Sequence, residues 1–103
     1  MRYLRTAQFD NDYRKLPAEH RKLFQQVVFD HFIPALEQGA HTGRVPWPRR
    51  LRIHKVGDVY SLTWSFASPG GRALFTFTLQ EAESGEPVLV WLAVGYHDVY
   101  RPS

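Results

Sequence analysis

Val59-Tyr60-Ser61-Leu62-Thr63-Trp64-Ser65-Phe66 is the stretch on which the fold turns. Its period is two: Tyr60, Leu62, Trp64 and Phe66 share one face of a strand, while Val59, Ser61, Thr63 and Ser65 share the other. Such alternation predicts a strand buried on its aromatic side and polar on the far side. Downstream, Ser68-Pro69-Gly70-Gly71 reads as a hairpin turn. From Arg72 to about Leu79 the pattern repeats, with Ala73, Phe75, Phe77 and Leu79 opposite Arg72, Leu74, Thr76 and Thr78. Glu81 to Glu86 forms a charged turn, and Val88-Leu89-Val90-Trp91-Leu92-Ala93-Val94 has no alternation, which predicts an interior strand covered on both faces. Upstream, Leu51 to Val56 reads as a further strand joined to Val59 through a Gly57-Asp58 turn.

The N-terminal half has a different rhythm. Tyr3 to Phe9 is expected to form a short strand, with Asp10 and Asn11 as N-cap residues for a helical turn that aligns Phe9, Tyr13 and Leu16. Pro17 breaks that turn and opens the next helix, expected from about Ala18 to Gln38 and closed by Gly39. Phe24, Val28, Phe32 and Leu36 recur every four residues along it, so one side is built for burial. Pro34 lacks the N–H that would continue the ladder, which predicts an irregular last turn. Gly39 to Arg50, with two prolines and two glycines, is expected to be a loop. The fold class is therefore α+β: an N-terminal helical hairpin packed on one face of a twisted, mainly antiparallel sheet of four to five strands. Its far face, carrying Ser61, Thr63, Ser65, Arg72, Thr76 and Thr78, is expected to meet solvent, either as a ligand surface or simply as a solvated sheet.

At 103 residues the chain is read as a single domain over 1–103. It has no cysteine, which excludes a disulfide framework or a thiolate zinc site, so the core must come from aromatic and aliphatic packing, for which three Trp, five Tyr and seven Phe suffice. Met1-Arg2-Tyr3-Leu4-Arg5 has no signal-peptide character, and the longest apolar run, Val88 to Val94, is far short of a bilayer span. A soluble, cytoplasmic protein without a membrane partner is the expectation.

The formal net charge of +3 is modest, but its distribution is uneven. Arg44, Arg49, Arg50, Arg52 and Lys55, with His54 and Trp47 among them, form a run without an acidic residue. Phosphates need cations, and the guanidinium fork matches their oxygens, so the run suits a nucleic acid. Solvated arginines with Trp47 folded back onto the core explain it equally well. Arg72 opens its strand on the face opposite Phe75 and Phe77, and His97, Tyr100 and Arg101 follow the interior strand. The histidines lack His-Glu-x-x-His spacing and there is no Gly-x-x-x-x-Gly-Lys loop, so no metal or nucleotide cofactor is expected.

Taken in order, Lys15-Leu16-Pro17, Val59 to Trp64, Gly71-Arg72-Ala73-Leu74-Phe75 and Val90-Trp91-Leu92-Ala93-Val94-Gly95-Tyr96-His97-Asp98-Val99-Tyr100 resemble the bacterial toxins of the RelE/ParE superfamily. That resemblance implies a toxin of a type II toxin–antitoxin system: a ribosome-dependent mRNA endonuclease that needs no metal and is held by a cognate antitoxin in a hetero-oligomer. It implies catalytic roles for Arg72, His97 and Tyr100, and RNA contacts from Arg49, Arg50, Arg52, His54, Lys55 and Arg101. In such an enzyme the RNA's own 2′-hydroxyl attacks the adjacent phosphorus and expels the 5′-oxygen of the next nucleotide. The alternatives on the same scaffold are a ParE-like inhibitor of DNA gyrase and a degenerate, non-catalytic binding module. Ser61 and Thr63 stand where the best-known members carry lysines, and Asp98 replaces the usual residue after the Tyr-His pair.

Overall fold

The computed structural model describes residues 1–67, 70–79 and 87–96. Five strands, β1 (Arg2–Arg5), β2 (His54–Val56), β3 (Val59–Ser65), β4 (Gly71–Thr78) and β5 (Val88–Tyr96), form one sheet in the order β1-β5-β4-β3-β2. The chain is α+β with a mixed sheet. β2–β3, β3–β4 and β4–β5 are antiparallel, whereas β1 runs parallel to β5 with Leu4 opposite Val90. β5 is interior, as its unbroken apolar run foretold. The expected turns at 68–69 and 81–86 lie outside the described residues.

The first strand ends sooner than expected, because Thr6 rather than Asp10 or Asn11 caps the helix. Extended at φ −80° and ψ 162°, Thr6 accepts a hydrogen bond at Oγ1 from the Phe9 N–H (3.0 Å), and its hydroxyl donates to the Leu92 carbonyl (2.9 Å). One side chain thus satisfies a free amide at the start of α1 (Ala7–Lys15) and ties the helix to β5. Asp10 instead pairs with Arg5 at 3.0 Å. Pro17 separates α1 from α2 (Ala18–Val27), and the Arg21 guanidinium bridges the break by donating to the Leu16 carbonyl (2.9 Å).

The long helical run changes pitch before Pro34. Val28–Phe32 form a π turn in which the Ile33 N–H reaches the Val28 carbonyl, and α3 (Ile33–Glu37) follows. A proline cannot donate to the carbonyl four residues back, and the wider turn upstream accommodates the missing bond. The run ends at Gly39, whose φ of 90° requires glycine.

The core is aromatic. Trp91 lies 5.3–5.7 Å, centroid to centroid, from Phe9, Phe24, Phe32 and Phe75. Two bulges set which residues reach it. Leu92 is the extra residue between the Phe75–Trp91 and Leu74–Ala93 pairs, so Trp91 and Val94 both turn toward the helices although they are three apart. Trp64 is the extra residue between the Thr63–Arg72 and Ser65–Gly71 pairs.

That second bulge corrects the expected alternation. Trp64 packs against Phe24, but Phe66 no longer follows it inward and is 58% exposed. Nor does the far face simply meet solvent: Ser61 and Thr63, paired with the longer Leu74 and Arg72, are buried, while Ser65, Arg72, Thr76 and Thr78 are half-buried. Leu51–Ile53 also departs from the expected strand. Arg49–Leu51 make a 3₁₀ turn with Leu51 wholly buried, Arg52 turns left-handed at φ 45°, and extended pairing starts only at His54. A second 3₁₀ turn, Ala40–Thr42, gives the preceding connection order. Trp47 stacks on Phe32 (5.7 Å, 9° between planes), so it belongs to the core.

Candidate functional site

On the sheet face away from the helices, register determines what meets. Residues paired across an antiparallel ladder project to the same side. His54 on β2 is opposite Ser61, Ser61 is opposite Leu74, Thr63 is opposite Arg72, and Arg72 is opposite Gly95 on β5. His54 and Arg72 therefore share one face. Strand spacing and rise separate their Cα atoms by about 12 Å, so the two side chains can approach one ligand from opposite ends without touching each other.

Arg72 is fixed at its backbone. Trp64 Nε1 donates to the Arg72 carbonyl (2.9 Å), and a Cβ on Gly71 would lie 2.5 Å from the Trp64 ring, so only glycine lets the indole lie against β4 there. The Gly70-Gly71 pair thus does more than turn the chain. The Arg72 guanidinium folds back along it, donating from Nη1 to the Gly71 carbonyl (3.1 Å). On the other flank Gly95 offers no side chain, which leaves that side of Arg72 uncovered by β5.

The C-terminal end of β5 is held by a contact that linear spacing gives no means of finding. His20 Nδ1 and the Tyr96 hydroxyl are hydrogen-bonded at 2.6 Å across 76 positions of sequence, and both rings pack on Trp64. This clamp fixes Tyr96, after which the sequence continues into His97. His97, Tyr100 and Arg101 themselves lie outside the described residues.

The basic run divides. Lys55 turns from His54's face and holds its ammonium 5.4 Å from the Tyr60 ring centroid. Arg52 lies over the exposed Phe66 ring at 5.1 Å, and Arg50 lines a cavity of about 210 Å³ with Thr63, Trp64, Ser65 and Phe66. Arg49 is exposed. Among the described residues, no three His, Asp or Glu side chains come together as a metal-binding group, and no helix is long and apolar enough to cross a membrane. At Tyr3 on β1, away from this face, burial and then the Glu37 carboxylate push the phenol up.

Chemically, the face offers the Arg72 guanidinium for an anionic oxygen and the exposed His54 imidazole, whose ring nitrogens donate and accept hydrogen bonds. Comparison with known protein families, curated proteins and solved structures finds no match for the chain.

Proposed function

We propose that the protein is a toxin of the RelE/ParE kind that cuts mRNA on the ribosome, acting in the cytoplasm and restrained by an antitoxin with which it forms a hetero-oligomer. In this reading α1 and α2 are the N-terminal helical hairpin of a RelE-like domain. The observation that carries it is the Arg72–Gly95 pairing, which sets a strand-start arginine beside the end of the strand that runs on, in sequence, to Tyr96-His97.

The roles follow from the chemistry of the reaction. The 2′-oxygen bonds to phosphorus as the P–O5′ bond breaks, yielding a cyclic phosphate and a free 5′-hydroxyl. A base must take the 2′ proton, an acid must protonate O5′, and a cation must neutralise the non-bridging oxygens as they gain charge. Arg72 serves the oxygens, His97 moves the proton, and Tyr100 orients His97 or the substrate. His54 shares Arg72's face and is the supplementary acid. Lys55, packed over Tyr60, is withdrawn from that task. Arg49, Arg50, Arg52 and Arg101 hold the RNA strand.

Primer extension on a reporter mRNA after induction tests this. Translation-dependent breaks with the wild type, absent with an Arg72→Ala/His97→Ala double variant, are expected. One observation favours a second reading. β3 carries the small, buried Ser61 and Thr63 on Arg72's face and no cation there, as suits a protein-binding inhibitor of gyrase better than a nuclease. Arrested growth with intact mRNA would select it, and normal growth with intact mRNA would leave a non-catalytic binding module.

A further inference from the structure

Three features meet at the end of β3. Phe66 is more than half exposed, although its place in the alternation would bury it. Arg52, the single non-glycine with positive φ among the described residues, holds a conformation that costs free energy relative to extended backbone, and from it lays its guanidinium over the Phe66 ring. Beside them opens the cavity of about 210 Å³, where Arg50, Thr63 and Ser65 meet the apolar Leu23, Val27 and Leu51. That is smaller than the roughly 300–1,000 Å³ that encloses a small molecule. It is an open notch, with Arg50 as its cation, rather than a closed pocket.

We infer that Phe66 and Arg52 form a stacking platform for one unpaired base of a single-stranded RNA, with Arg50 receiving the phosphate beside it. The inference rests on the RNA-cleaving reading and adds to it the residue that engages a base. Charge favours this occupant: from Gln38 through Gly57 there is no acidic residue, Arg52 lies over the ring and Arg50 lines the cavity beside it. A ring with a guanidinium laid over it offers π and cation–π surface to any base and needs no base-specific hydrogen bond. Trp47, the sequence's more obvious stacking residue, is spent on Phe32.

The test is fluorescence anisotropy of the full chain with a labelled 2′-O-methyl oligoadenylate, which cannot be cut through its own 2′-hydroxyl, and with an abasic oligomer of equal length. Phe66→Ala is expected to weaken oligoadenylate binding roughly five- to 150-fold while leaving abasic binding unchanged, and Phe66→Tyr to restore it. Thermal melts of both variants verify folding. Equal oligoadenylate affinity of wild type and Phe66→Ala would overturn the platform. So would wild-type protein that binds neither oligomer, or Phe66→Ala that loses self-association or a protein partner instead of RNA. None of these touches the cleavage reading, which stands or falls separately on whether the wild type breaks translated mRNA.

Discussion

The two faces of the sheet are built on different principles. On the helix side, Trp91 is surrounded by Phe9, Phe24, Phe32 and Phe75, and periodicity chooses who enters. On the far side, cross-strand register and two bulges decide that Arg72 lies between Thr63 and Gly95 and that Phe66 escapes the core. Stability is concentrated on the first face and chemistry on the second, so substitutions should separate the two.

The largest effect belongs to the core. Trp91→Ala removes a ring touching four others and should cost about 3–5 kcal/mol, enough to unfold much of a marginal domain, as a urea titration would report. Gly71→Ala drives a methyl into the Trp64 ring and should cost about 1–3 kcal/mol, with near-ultraviolet circular dichroism registering the displaced indole. If Gly71→Ala were neutral, the packing of Trp64 against β4 would be wrong.

Thr6→Ala removes the α1 cap and should cost about 1 kcal/mol by denaturant midpoint. Tyr96→Phe deletes the hydroxyl bonded to His20 and should cost about 0.5–1.5 kcal/mol, with less loss when His20 is already alanine. Smallest in stability is Arg52→Gly: relief of the left-handed backbone should leave the melting temperature equal or slightly raised while RNA binding weakens. A fall in both would make Arg52 a structural residue.

What could be read in advance follows the same division. The strands about Leu62, Phe75 and Trp91, the break at Pro17 and the stop at Gly39 were legible because burial imposes a period and because proline and glycine act locally. The start of α1 was misplaced because Asp10 and Asn11 are good capping residues, and only the docking of Thr6 on Leu92 favours Thr6 over them. Bulges at Trp64 and Leu92 depend on how neighbouring strands align, so alternation alone places Phe66 in the core and Ser61 and Thr63 at solvent. The parallel β1–β5 pairing and the His20–Tyr96 contact join opposite ends of the chain and leave no local trace. Of the site, the strand-start position of Arg72 could be read from the Gly70-Gly71 turn. The opposite orientations of His54 and Lys55 follow from adjacent places on a strand, but which of them shares Arg72's face needed the register.

The most direct test of this account is the single-turnover rate of mRNA cleavage on purified, programmed ribosomes for wild type and Arg72→Ala, with the unfolding midpoint of each measured in parallel. Cleavage by the wild type is expected, with a loss on the order of 100-fold or more in the variant and a midpoint shift corresponding to less than about 1 kcal/mol, because the guanidinium acts on charge that develops in the transition state and not on the core. Wild-type cleavage that persists at full rate without the Arg72 side chain would contradict it.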